Sequence, residues 1–544
     1  MKLKISKEIY QAIKSDEVRN ERLDEVFSSS WSSETEIDHR VLSEAFLCSL
    51  AEYAKKNMDV RHCNAILQGL SIISSISSDV GGKVPKRLDA FKEALVSYIM
   101  KDEIDGWIYV QHDNNIILPY LVVDVVYNRA TEHNPAHVTL YGSSYQHGRR
   151  KDTSFTWWLS DIKKCNNLQQ LFNEKNILHE TESLKNIYTK DRLLYDDCMN
   201  NFGKQYTYIS YKDDNSISRS VIKDENGAMR KIVCNDKNIL DASKLWTIPK
   251  MLDFEDTTAD RMLPIHPFVD FFDLSSHRSI TLHVTRVTLY KYNKSLIDKL
   301  ILPEDTKGII KMLADNSGKN SEDIIKGKTG GTFIISKGIA GTGKTLTAEV
   351  YSEFTEKPLY IVQSAQLGLT PKELESNIND ILSRAQSWDA ILLIDEADVY
   401  MRRRSSDLVQ NAIVGVWLRT LEYYSGLLMV TTNKGLDIDE AILSRASAIV
   451  QYSAPDGDLS HKLWKTLADQ YNIFLRDGIV QKLVDKYPLI TGRSIKSLLK
   501  LAKQMAERNN YEMSDGRQVV LMEDIDSASK YIYINGEGSA KINE

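Results

Sequence analysis

The sequence predicts a multidomain chain: an α+β N-terminal region, then an α/β domain on a parallel sheet, then a helical C-terminal region. Three observations carry this. Gly338-Ile339-Ala340-Gly341-Thr342-Gly343-Lys344-Thr345 has the G-x-x-x-x-G-K-[ST] form of a phosphate-binding loop. After about residue 330, short β-type runs alternate with helical stretches, and several are apolar on both faces, as buried parallel strands are. From 456 to about 532 the apolar residues recur at helical spacing.

The chain has 544 residues, 42% hydrophobic and 26% charged, which is ordinary globular composition with room for several cores. We read domains at 1–104 (helical), 105–250 (α+β), 251–320 (β-rich), 321–455 (α/β core) and 456–544 (helical). A net charge of −6 argues against a protein that coats nucleic acid, though it leaves room for a local basic groove. The five cysteines, Cys48, Cys63, Cys165, Cys198 and Cys234, are odd in number and never at C-x-x-C spacing, which suits reduced thiols. Met1–Ile5 lacks the apolar run of a signal peptide, and no apolar stretch reaches the length of a membrane span. The expectation is a soluble, cytoplasmic protein without a membrane partner.

In the first segment Val41–Tyr53, Ala65–Ile76 and Leu88–Ile99 show three- and four-residue apolar spacing, which predicts helices. Trp107–Val110, Leu121–Val126 and His137–Leu140 then read as strands, and 156–204 as helical. Asn226-Gly227 marks a hairpin within 206–234. Phe268–Phe272 and Ile280–Tyr290 read as strands, the second by alternation of Leu282, Val284, Arg286 and Thr288. A helix comes after Pro303, and Asn316–Lys328 is linker-like. Thr332–Ile335, Leu359–Val362, Ile391–Ile394, Leu427–Thr432 and Ala448–Tyr452 are the strands of the parallel sheet.

The candidate site is read from the loop outward. Its glycines let successive N–H groups face phosphate oxygens, and the helix that starts there, with Leu346 in its first turn, points its positive end at the anion. Lys344 supplies a point charge at the β- and γ-phosphates, and the Thr345 hydroxyl can ligate Mg²⁺. Ile391–Glu396 is a buried strand ending in two acids: Asp395 to hold Mg²⁺, Glu396 to act as general base on the attacking water. Asn433, ending Thr431-Thr432-Asn433, can bond the γ-phosphate or that water; a turn-capping Asn is the plain alternative. Arg445 stands before the last strand, where it can reach a neighbour's ATP; a surface arginine at a helix end is the alternative. Arg493, opening a C-terminal helix, can sense the γ-phosphate or be an ordinary surface residue. Asp395–Asp398 also spells the DEAD of RNA helicases, but the region after the parallel-sheet domain is too short and too helical for a second lobe.

In order and spacing, Gly338–Thr345, Leu392–Val399, Thr431–Asn433 and Asp439–Arg445 closely resemble the Walker A, Walker B, sensor 1 and arginine-finger elements of the AAA branch of the AAA+ superfamily. Gly492-Arg493 resembles sensor 2. The resemblance covers about 320–540, and 266–305 is similar to a domain that precedes the ATPase module in uncharacterised AAA proteins. It implies a three-layer ATPase domain with a helical lid, ATP and Mg²⁺ as cofactors, a homo-oligomeric ring, usually a hexamer, and use of hydrolysis to remodel macromolecules, here a protein partner recruited by the N-terminal region. A nucleotide-gated switch or a nucleic-acid-linked machine, as in host defence, is the second reading; a non-hydrolysing scaffold is the third, and the presence of Glu396 and Arg445 argues against it. Two departures stand out. The loop Ser364–Pro371 has no aromatic residue where threading relatives carry one; its Leu367 and Leu369 leave apolar grip by leucine open. Only Arg445 is present where many relatives carry two arginines, and Arg402-Arg403-Arg404 is open to a pore, interface or plain surface role.

His133 and His137 are separated by Pro135, which argues against a helical metal face; Trp157-Trp158 reads as core, and His147–Lys151 as a solvated basic loop.

Overall fold

The structure is a computed structural model. It describes residues 84–532 except 101–104, 113–115, 133, 166, 210–228, 237–261, 317–330, 369, 434–436, 477, 510–512, 514 and 515, together with parts of 2–53. The expected helix over Ala65–Ile76, the turn at Asn226-Gly227, most of the linker after Asn316, and Leu369 lie outside the described residues. By contacts the chain forms two units: Met1–Asn200, Asp236–Val269 and Leu282–Thr285 in one, Asn201–Asn235, Asp270–Thr281 and Arg286–Glu544 in the other.

In the first unit, β1 (Lys2–Ser6) pairs antiparallel with β2 (Glu34–Asp38), with α1 (Lys7–Ile13) between them. The N-terminal stretch read as helical therefore holds a strand pair, whose register joins residues about thirty apart and leaves no local periodicity to read. Helix α2 (Leu88–Met100) buries Phe91, Leu95 and Ile99, spaced four apart on one face. A five-stranded antiparallel sheet comes next: β3 (Trp107–Gln111), β4 (Ile117–Asn128), β5 (His137–Gln146), β6 (Arg149–Trp158) and β7 (Ile177–His179), in the order β6-β5-β4-β3-β7. Strand β7 interrupts the stretch 156–204 that reads as helical; α3 (Leu159–Lys164), α4 (Leu168–Glu174) and α5 (Glu182–Asn200) make up most of the rest. The basic run His147–Lys151 is the β5–β6 hairpin turn and the start of β6, with positive φ at His147 and Gly148 as tight hairpin turns require. Trp157 is fully buried, stacked on Phe172 and edge-on to Phe91, as its core reading expects.

A second antiparallel sheet comprises β8 (Gln205–Ile209), β9 (Met229–Cys234), β10 (Phe268–Asp273), β11 (Arg278–His283) and β12 (Val287–Leu289), ordered β11-β10-β9-β8-β12. These strands come from both sides of the boundary that the sequence reading places at 250. The single strand expected over Ile280–Tyr290 is broken by a 3-10 turn at Val284–Arg286, because β11 and β12 lie at opposite edges of the sheet. Within the second unit, Phe272 sits against the rings of Tyr360 and Trp388, and Asn235 accepts a 3.1 Å hydrogen bond from the Trp388 indole.

After α6 (Glu304–Asn316) comes the parallel sheet: β13 (Thr332–Gly338), α7 (Lys344–Thr355), β14 (Leu359–Gln363), α8 (Pro371–Ser387), β15 (Ile391–Asp395), α9 (Asp398–Met401), α10 (Leu408–Leu421), β16 (Leu427–Thr432), α11 (Glu440–Leu443) and β17 (Ala448–Tyr452). Strand order is β14-β15-β16-β13-β17, every neighbour parallel. The three inner strands are buried nearly throughout, whereas edge strand β17 alternates buried and exposed residues. Leu392, Ile394 and Val430 face a core completed by Leu374 and Ile378 of α8 and Trp417 of α10. Leu393 and Met429 face the opposite core, with Ile310 of α6 and Ala348 and Tyr351 of α7. The sheet thus has helices on both faces. Thr370 caps α8 in a box with Glu373, and Pro371 starts its first turn where no N–H is needed.

Beyond Tyr452, α12 (Gly457–Gln470), α13 (Ile479–Lys486), α14 (Gly492–Ala506) and α15 (Met522–Ser529) enclose their own core around Trp464, Leu483 and Leu498, with a two-residue pairing of β18 (Ile473–Phe474) and β19 (Gln518–Val519). Among the described residues no helix is long and apolar enough to cross a membrane.

Candidate active site

Register brings the chemistry to one edge of the parallel sheet. Gln363 lies beside Asp395, Ser336 beside Thr431, and Gly338 beside Tyr452, so β13, β15 and β16 all deliver their carboxyl ends there, the usual place for a ligand in such sheets. The loop after β13 turns through Gly341 (φ 82°) and Gly343 (φ 98°), and Gly343 is the N-cap of α7. Left-handed backbone favours glycine at both. At Gly341 there is a second reason: a Cβ there would lie 2.7 Å from the Arg493 Cβ and 3.0 Å from the Thr491 hydroxyl.

Lys344 is 7% exposed. Its ammonium donates to the carbonyls of Gly338 and Ile339 and to Asn433 Oδ1, each at 2.8 Å, so all three of its protons have acceptors. Burial pushes its pKa down, opposed by the charges of Asp395, Asp398 and Glu396. Thr345 Oγ1 lies 3.2 and 3.4 Å from the two oxygens of Asp395. Ala340 and Leu346 are exposed at the loop, and the Thr342 hydroxyl bonds back to the Ile339 carbonyl at 2.9 Å.

The acids are held from the neighbouring strand. Thr431 Oγ1 donates to Asp395 and accepts from the Glu396 N–H at 2.9 Å. Thr432 Oγ1 donates to Asp398, which also accepts the Asn433 N–H at 3.2 Å. Glu396 has a left-handed backbone (φ 56°), an uncommon conformation for a residue with a side chain, and its carboxylate is exposed. Asp398, Thr431 and Thr432 carry no individual role in the motifs; their signal is two hydroxyls ending a strand whose neighbour ends in closely spaced acids.

The C-terminal helices meet this loop through backbone: the Arg493 N–H bonds the Gly341 carbonyl at 3.3 Å, while the Arg493 side chain is exposed. Arg445 is not joined to the cluster. It bonds Glu422 at 2.7 Å and the Ala441 carbonyl at 3.1 Å. The arginines of the 402–404 run pair within the chain: Arg402 with Asp437, Arg403 with Glu440, Arg404 with Asp439. Leu367, read as a candidate for apolar grip, is fully buried; among the described residues the loop exposes Ala365, Gln366 and Thr370. It is held in place by the Tyr400 hydroxyl, which bonds the carbonyls of Ser364 and Gly368.

Residues 334–454 match the family described as ATPase family associated with various cellular activities (AAA). These residues form an AAA domain. The AAA domain thus coincides with the parallel sheet and the edge where Lys344, Thr345, Asp395 and Asn433 meet. The chain is similar to the ATPase family AAA domain-containing protein 3A homolog of Drosophila melanogaster, 26% identical over 145 residues, which are 25% of this chain and 24% of that protein. The chain thus spans about a quarter of the length of the curated relative it matches.

Proposed function

We propose that the AAA domain binds ATP with Mg²⁺ and hydrolyses it between subunits of a homo-oligomeric ring, expected to be a hexamer. The single observation that carries this is the meeting of Lys344, Thr345, Asp395 and Asn433 at the carboxyl edge of adjacent parallel strands. The residues suit the ligands. One hydroxyl and one carboxylate side by side form the hard oxygen set that Mg²⁺ prefers, and a loop with left-handed glycines before a helix of 12 residues suits phosphate. When bound, Mg²⁺ supplies charge neutralisation on the phosphate oxygens.

The protein's own residues do the rest. Loop N–H groups from Gly341 to Leu346 and the α7 terminus bind the phosphates. Lys344 exchanges its loop carbonyls for β- and γ-phosphate oxygens. Asn433, anchored through its N–H to Asp398, orients the attacking water. Glu396 takes the proton from that water as its oxygen bonds to the γ-phosphorus; the bond to the β–γ bridging oxygen breaks, and ADP leaves. Arg445 exchanges Glu422 for the neighbour's γ-phosphate, and Arg493 brings the C-terminal helices over the site as a lid. We assign the energy to remodelling a protein partner recruited by the N-terminal region.

A second reading, a nucleotide-gated switch controlling a separate effector, draws on one feature. With Leu367 buried, the described residues that the loop exposes are Ala365, Gln366 and Thr370, none of them a large apolar side chain. Phosphate release by the purified full chain, with particle mass measured in parallel, tests the proposal. Mg²⁺-dependent turnover by a multi-subunit particle, abolished by Lys344→Ala, is expected. A monomer that neither binds nor cleaves ATP overturns it.

A further inference from the structure

The three consecutive arginines after the acidic strand are not equivalent. Arg402 and Arg403 pair with Asp437 and Glu440 between side chains that are more than half exposed on both sides, where ion pairs hold little. Arg404 is different. Its partner Asp439 is 4% exposed. Arg404 grips both carboxylate oxygens, Nε to Oδ2 at 2.9 Å and Nη2 to Oδ1 at 3.2 Å, and its own N–H adds a third bond to Oδ2 at 3.2 Å. This is the paired fork that arginine forms and lysine does not. The same Asp439 caps α11, accepting the Ala441 N–H at 3.0 Å.

Each end of this contact leads somewhere specific. Upstream, Arg404 closes a run that begins at Asp395 and Glu396 and is fastened to the end of β16 through Asp398. Backbone bonds then stitch it to the next segment: Arg403 N–H to the Asp437 carbonyl at 2.8 Å, Asp439 N–H to the Met401 carbonyl at 2.9 Å. Downstream, α11 has a single turn, and Arg445 leaves it with its N–H on the Ile442 carbonyl and its guanidinium on the Ala441 carbonyl. Where α11 sits therefore sets, together with the 2.7 Å bond to Glu422, where Arg445 points.

We infer that Arg404 is a positioning residue that, through Asp439, sets the stance of Arg445 and so ties a subunit's own hydrolytic strand to the arginine it offers its neighbour. This rests on the reading that Arg445 acts in trans. The Asp439 carboxyl is held below its ordinary range: burial opposes ionisation, and the bonds from Arg404 and the Ala441 N–H more than offset it, so the anion persists at neutral pH.

Mixed assemblies of full-length subunits test it. Arg445→Ala subunits keep an intact site but no finger; Lys344→Ala subunits keep the finger but no working site. Their mixture is expected to regain phosphate release, and failure with rings formed removes the trans reading and this inference with it. The donor is then changed to Lys344→Ala/Arg404→Ala. Rescue is expected to fall about tenfold, since small misplacements of a reacting group are costly in rate. Lys344→Ala/Asp439→Asn is the second donor: asparagine still caps a helix but loses the ion pair, so an equal fall is expected. Arg404→Ala alone should bind ATP as the unaltered chain does, showing that the fold survives. Full rescue by both donors, in a mixture where the Lys344→Ala donor also works, overturns the inference.

Discussion

Thr345 Oγ1 lies 3.2 Å from Asp395 Oδ2, so the first turn of the loop helix touches the end of a strand 50 positions later in the chain. A hydroxyl and a carboxylate at that spacing can share one hard cation. Asp395→Asn keeps the size and removes the charge. Titration of ATP in Mg²⁺ and in chelator should show strong metal dependence for the unaltered chain. The variant should lose on the order of 10- to 100-fold in metal affinity or turnover. An unchanged metal dependence would place the cation elsewhere.

Thr432 reaches Asp398, and Asp398 in turn holds the Asn433 N–H. Thr432→Val has nearly the same shape without the hydroxyl. Phosphate release should slow by roughly 10- to 100-fold as Asn433 loses its anchor, while ATP affinity changes little. A selective rise in KM instead would show that Thr432 acts on binding.

Glu353 on α7 gathers residues from far along the chain: Lys231 at 2.9 Å, the Tyr290 hydroxyl at 2.5 Å and the Asn293 N–H at 2.9 Å. Burial favours its neutral form, but these three bonds outweigh that and hold its pKa below the usual range. A depressed folded pKa means that stability from Glu353 is present above its unfolded pKa and is lost as pH falls through the folded value. Glu353→Gln should lower stability by roughly 1–3 kcal/mol near neutral pH, with the deficit shrinking below about pH 4. Thermal melts of both forms across that range measure it.

Much of the AAA domain is legible in sequence because its signals are local. The glycine pattern and the strand Ile391–Ile394 each fall within a few residues. What stays hidden is set by register. The strand pair β1–β2, short β7, and the sheet assembled from β8, β9 and β10 depend on pairing between distant segments. The same holds at the site. Lys344 and Asp395 announce themselves by motif, whereas Thr431, Thr432 and Asp398 matter because two parallel strands end side by side. Leu367 reads as a surface grip because exposure is not written in a short loop; the fold turns it into the core beneath Tyr400. The arginine run reads as a pore lining, an interface or a solvated turn until Asp437, Asp439 and Glu440 are found opposite it.

Whether Glu396 is the base of an ATPase is decided by single-turnover phosphate release from Glu396→Gln, measured beside equilibrium ATP binding. Glutamine keeps the left-handed turn and its bond to Thr431 but accepts no proton. ATP should bind as in the unaltered chain, with release slower by roughly 10²–10⁴-fold. Release at the unaltered rate would remove Glu396 from the role of base.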